Sequence, residues 1–112
     1  MSTHSEQIVL GRLLTNNDFI HDVMPLLTPE CFKGNDNRRV YRHIIQFQYE
    51  DKPFDMFSIA DALGDEWISV CGQLVSEATS YGPVSAIEHA KIVSERHRKD
   101  LLKEALTAAF VS

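Results

Sequence analysis

The sequence has too few cysteines, glycines and prolines for several classes of protein. Its two cysteines, Cys31 and Cys71, cannot form a disulfide framework or a paired C-x-x-C metal site. Both stand beside apolar residues and are expected to be reduced members of a core. Five glycines and four prolines among 112 residues leave no low-complexity or linker segment. We therefore expect one globular domain.

The chain also lacks long apolar runs and an excess of positive charge. No run approaches the roughly 20 residues that span a bilayer, and the first residues do not resemble a signal peptide. A cytoplasmic protein without membrane contact is expected. There are 11 basic and 16 acidic residues, which gives a net charge of −5. Because phosphate neutralisation supplies most of the affinity for nucleic acids, this balance argues against direct DNA binding.

Motifs for catalysis and metal binding are lacking as well. None of the five histidines has the spacing of a zinc site, and no G-x-x-x-x-G-K-[ST] loop is present to hold nucleotide phosphates. No serine or cysteine has a base placed near it by local sequence. We expect no catalytic residue, no metal and no cofactor in this chain. The histidines are His4, His21, His43, His89 and His97.

What the sequence does have is apolar periodicity near 3.6 residues, which predicts an all-α bundle of six or seven helices. Thr3 to Glu6 fits a capping box at the first helix start, and Asp55 is predicted to cap a later helix. Pro25 should shorten the second helix. The predicted core includes Leu10, Leu13, Val40, Ile44, Leu63 and Leu74.

The last predicted helix has two apolar stretches separated by the polar residues 94–100. A helix that is polar all round either bridges through solvent or is supported by charge pairs. The second stretch, at the chain end, forms one continuous stripe with no later segment to cover it. Either the stripe folds into the core, or it is covered by another chain or by residues beyond the given sequence. We favour self-association through Leu101, Leu102, Leu106 and Phe110.

Several segments resemble the N-terminal domain of DnaB-type replicative helicases. Residues 6–14, EQIVLGRLL, resemble the opening E-Q-x-V-L-G-x-L-L, and residues 27–32 resemble the L-x-P-x-x-F element. Residues 53–63 resemble P-x-D and the helix after it, and residues 81–96 resemble T-P-S…Y-A-x-I-V-x-x-R. Residues 37–41 stand where the family has H-R-x-I-F, with Asn37 in place of histidine.

The resemblance implies a non-catalytic domain that helps to assemble a hexameric helicase and docks the C-terminal domain of primase and, in some systems, a loader protein. ATP and Mg²⁺ would bind only to a separate RecA-like domain. Residues 1–84 would form a helical globule. Residues 85–112 would form an extended helix, the first arm of a dimerisation hairpin, after which this chain stops.

Partner docking is predicted at exposed polar residues of the globule, Arg38, Arg42 and Gln46, because a basic cluster of Arg38, Arg39, Arg42 and His43 stands on an acidic domain. The alternative function is a helix-turn-helix-like DNA-binding regulatory domain, in which this cluster and a second one at residues 96–99 would contact DNA. A third possibility is a primase-like domain that contacts a helicase. The E-Q-x-V-L-G opening favours the helicase.

Overall fold

The structure, a computed structural model, describes residues 4–111, apart from the side chains of Pro83 and Val111. Within this range the chain is helical and contains no strand, and it has a long C-terminal helix, which confirms the predicted all-α class. Single turns of 3₁₀ helix occupy Asn17–Phe19 and Pro29–Cys31. The α-helices are α1 (His4–Thr15), α2 (Ile20–Val23), α3 (Asn35–Tyr49), α4 (Met56–Leu63), α5 (Trp67–Ala78) and α6 (Pro83–Val111).

Local sequence explains where two of these helices begin or end. Asp55 Oδ1 accepts hydrogen bonds from the N–H groups of Phe57 and Ser58, at 3.0 and 2.8 Å. Ser58 Oγ accepts in return from the Asp55 N–H at 2.8 Å, which completes a capping box for α4. Helix α2 ends at Val23, two residues before Pro25, as expected from the missing proline N–H.

The core forms around α1, which packs against α5 and α6. Gly11 permits the contact with α5, because a Cβ at this position would lie 2.0 Å from the carbonyl oxygen of Leu74. The two cysteines are buried and free, as expected. The predicted core residue Leu63 is half-buried, since it packs at the edge of the cluster. The other five predicted core residues are buried: Leu10, Leu13, Val40, Ile44 and Leu74.

Helix α6 consists of a docked part and a projecting part. Ala86, Ala90 and Val93 are buried against the globule, whereas every residue from 101 to 110 is exposed. At about 1.5 Å per residue, the 29 residues of α6 account for most of the 47 Å long axis of the molecule. The second apolar stripe is therefore not part of the core of this chain.

Candidate protein-interaction surfaces

A fully buried carboxylate joins the projecting helix to the globule. Glu6 on α1 accepts hydrogen bonds from the backbone N–H groups of Lys33 and Gly34, at 2.9 and 3.2 Å, and from Asn37 Nδ2 at 3.1 Å. Arg96 of α6 donates a further, very short hydrogen bond from Nη2 to Glu6 Oε2. These donors compensate the cost of burying the charge.

A second ion pair lies one turn further along α6. Lys33 Nζ is 2.6 Å from Asp100 Oδ2, and this hydrogen bond lowers the pKa of the Asp100 carboxyl. The polar segment 94–100 is thus anchored to α1 and to the loop before α3. Of the two explanations for a helix that is polar all round, charge pairs apply here. The anchored segment sets the direction in which the rest of α6 projects.

The role of Glu6 was not predicted correctly from the sequence. A capping box was expected to bring the Glu6 side chain back to the helix start, but the carboxylate contacts Lys33, Gly34, Asn37 and Arg96 instead. Thr3, the other member of that box, lies outside the described residues. The sequence did hold a signal for the contact between Glu6 and Arg96, since these are the first and last residues of the segments that resemble the family.

The projecting part of α6 carries the predicted interface residues on an exposed apolar face. Leu102 keeps 63% and Phe110 keeps 89% of its side-chain surface accessible. Apolar faces of this kind on a folded domain mark contact sites for other proteins. The face, here called the α6 stripe, consists of Leu101, Leu102, Leu106 and Phe110.

The three predicted docking residues have different environments on α3. Arg38 is half-buried and donates from Nε and Nη2 to the Phe32 carbonyl oxygen, at 3.1 and 2.9 Å. Arg42 and Gln46 are exposed and lie four residues apart, on one face of the helix. Arg42 and Gln46 are accessible to a partner, whereas Arg38 stabilises the turn before its own helix.

A cluster of aromatic and imidazole rings lies where α1, α5 and α6 meet. His4 Nε2 and the Tyr81 hydroxyl are 3.0 Å apart, and Ser5 Oγ and His89 Nδ1 are 2.8 Å apart. The His4 and His89 rings are edge to face with centroids 6.0 Å apart, and His4 Nδ1 is 3.6 Å from Glu77. Burial, followed by the charge of His4, lowers the pKa of His89.

This lowered pKa predicts a loss of stability in acid. Below the ordinary value of 6.5, the unfolded chain takes up a proton at His89 that the folded chain resists, so stability falls as the pH drops from 6.5 through the lowered pKa. We expect His89→Gln to reduce the fall in Tm between about pH 7.5 and pH 5.5. His21→Gln, at an exposed site, is the control. An equal fall in wild type and H89Q would contradict the assignment.

Residues 4–111 contain no group of three or more His, Cys, Asp or Glu side chains that could hold a metal ion. None of their helices is long and apolar enough to cross a membrane.

The described residues form an all-helical globule with a long projecting helix. Residues 1–95 match the family model of the DnaB-like helicase N terminal domain. The crystal structure of the N-terminal domain of DnaB helicase from Mycobacterium tuberculosis is similar, with a TM-score of 0.83 and 27% sequence identity over 96% of this chain and 82% of that one. The comparison with curated protein sequences found no match. The chain belongs to the DnaB-like helicase N-terminal domain family.

Proposed function

We propose that this domain is a non-catalytic assembly and docking module of a replicative helicase. The observation that carries the proposal is the exposed α6 stripe, which an anchored polar segment holds away from the core of a DnaB-family domain. Family membership supports the context of a replicative helicase. In this proposal ATP and Mg²⁺ bind to a separate ATPase domain, and the domain described here hydrolyses nothing.

Self-association would take place through the α6 stripe. Leu102, Leu106 and Phe110 recur every four residues along one face of α6, the arrangement that pairs helices side by side. In this proposal the α6 stripe is covered by the helical hairpin of a second copy of the domain. Pairs of this kind would build the hexameric collar of the full-length helicase.

Docking of the C-terminal domain of primase, and of a loader protein where one is used, is proposed at the exposed part of the α3 cluster. Arg42 and Gln46 are accessible on a domain that is otherwise acidic. Arg38 does not face the partner in this proposal, because its guanidinium donates hydrogen bonds to the Phe32 carbonyl oxygen. An acidic or amide-rich patch on the partner would be complementary to the surface.

Reversing the charge of Arg42 is expected to weaken primase binding. For Arg42→Glu we expect the Kd for the primase C-terminal domain of the same source, measured by titration calorimetry, to rise about 10-fold. Lys91→Glu, at an exposed lysine of α6, provides the matched control and should leave the Kd unchanged. Equal affinities for wild type and R42E would remove this docking site.

The DNA-binding alternative receives less support from the surface. Arg98 of the second basic cluster makes two hydrogen bonds with Glu95, at 2.6 and 2.9 Å. In the first cluster, the guanidinium of Arg39 lies 4.8 Å from the centre of the Trp67 ring, and Arg38 is bonded to the Phe32 carbonyl. These engaged groups and the net charge of −5 lower the affinity that the domain can have for a phosphate backbone.

A further inference from the structure

Negative charge is concentrated in one part of this chain. Between Lys52 and His89 there is no lysine, arginine or histidine over 36 consecutive residues, which include six aspartates and glutamates. The rest of the chain carries eleven basic and ten acidic residues. The acidic character of the domain therefore comes from the segment that contains α4 and α5, and these two helices pack on each other.

Two large apolar side chains are exposed within this acidic region. Phe57 on α4 keeps 65% and Ile68 on α5 keeps 40% of its surface accessible. Together with Ala60, Asp61 and Asp65 they line a cleft of about 340 Å³ between the two helices. We call these five residues the α4–α5 patch. It lies on different helices from the α6 stripe and from the basic cluster on α3.

The charges of the patch have no counterpart in the described part of the chain. Neither Asp61 nor Asp65 forms an ion pair or a side-chain hydrogen bond within residues 4–111. The guanidinium of Arg39 lies 4.8 Å from the centre of the Trp67 ring, and Trp67 directly precedes Ile68. The two carboxylates are exposed, so both are available to a partner.

We propose that the α4–α5 patch binds a basic amphipathic helical segment of another protein. Apolar side chains of the segment fill the cleft between Phe57 and Ile68, and its lysines or arginines pair with Asp61 and Asp65. A helix placed in a groove with apolar anchors is a common mode of peptide recognition, and complementary charge fixes its orientation. A cleft of this volume accommodates a few side chains, as a single segment would supply.

A second copy of this chain fits the patch less well. Outside the acidic segment the chain carries eleven basic and ten acidic residues, so a second copy complements Asp61 and Asp65 less well than a basic segment does. If a second copy did bind the α4–α5 patch, its α6 stripe would be the segment involved, because Lys99 and Lys103 lie near that stripe. The proposal goes beyond assembly and primase docking, because it concerns a surface that neither of them uses.

The test uses two designed 14-residue helical peptides, one of leucine and lysine and one of leucine and glutamate. Trp67 is the single tryptophan of the chain and directly precedes Ile68, so its fluorescence gives a first measurement of peptide binding, and NMR shifts locate the site. We expect the lysine peptide to bind at least about 10-fold more tightly than the glutamate peptide. Amide shifts in the NMR spectrum should be centred on Phe57 and Ile68.

Two double variants test whether the lysine peptide binds at the α4–α5 patch. Phe57→Ser with Ile68→Ser should weaken binding of the lysine peptide at least about 10-fold, and Asp61→Lys with Asp65→Lys should reverse the preference between the peptides. Circular dichroism confirms folding, which exposed positions should preserve. Amide shifts centred on Leu102 would overturn the proposal. It would also be overturned if D61K/D65K bound the lysine peptide as tightly as the wild type does. If, without peptide, the F57S/I68S protein had a lower mass in solution than the wild type, the patch would be an interface between copies of this chain. That result would also overturn the proposal.

Discussion

Replacing Glu6 with alanine is expected to lower the free energy of unfolding by about 3–5 kcal/mol, the usual cost of removing one partner of a buried ion pair. Arg96 would lose its carboxylate, and the N–H groups of Lys33 and Gly34 and the Asn37 amide would lose their acceptor. Domains of this size are stable by only about 5–15 kcal/mol. The expected loss would therefore be a large part of the free energy of unfolding of the domain.

Urea denaturation followed by circular dichroism measures this effect. The matched control is Glu88→Gln, because Glu88 forms an exposed pair with Lys91 at 3.5 Å and should contribute less than about 1 kcal/mol. A double variant, Glu6→Leu with Arg96→Met, should recover part of the lost stability, since no charge is then left buried. If Glu6→Ala costs no more than Glu88→Gln, the buried carboxylate does not hold α6 to the globule.

Replacing Leu102 and Leu106 with serine is expected to separate self-associated protein into monomers. Burying a leucine side chain contributes about 1.5–3 kcal/mol, so the two substitutions should raise the Kd of self-association at least about 100-fold. Sedimentation equilibrium over a range of protein concentrations gives this Kd. Folding should be unaffected, because both leucines are exposed in the single chain.

Glu104→Ser is the matched control, since it changes an exposed residue between the two leucines of the same helix. Its Kd should stay close to that of the wild type. The role proposed for the α6 stripe would be abandoned if L102S/L106S sedimented like the wild type. A wild-type protein that is monomeric at every concentration would have the same consequence.

The sequence was informative wherever structure depends on near neighbours. Periodicity predicted the helical class, and Asp55 and Pro25 predicted where a helix begins and where one ends. These features need only the helical repeat and local hydrogen bonding.

Features formed by distant segments were not predictable in the same way. The donors to Glu6 lie 27 to 90 residues further along the chain, and no local pattern brings them together. The α4–α5 patch likewise depends on how two helices pack, which decides that Phe57 and Ile68 face the same cleft. Arg38 looked like a surface residue, yet it is bonded to the Phe32 carbonyl through a turn of the fold.

The most direct test of the proposed function is the mass of the native species that carries this sequence in its source cells. An antibody against the domain, with size-exclusion chromatography under native conditions and denaturing electrophoresis, measures both the assembly and its polypeptide. We predict a polypeptide several times larger than 12.7 kDa that also contains a RecA-like ATPase domain and elutes as a ring-sized oligomer. A free monomer of 12.7 kDa would contradict the assignment as a helicase assembly module.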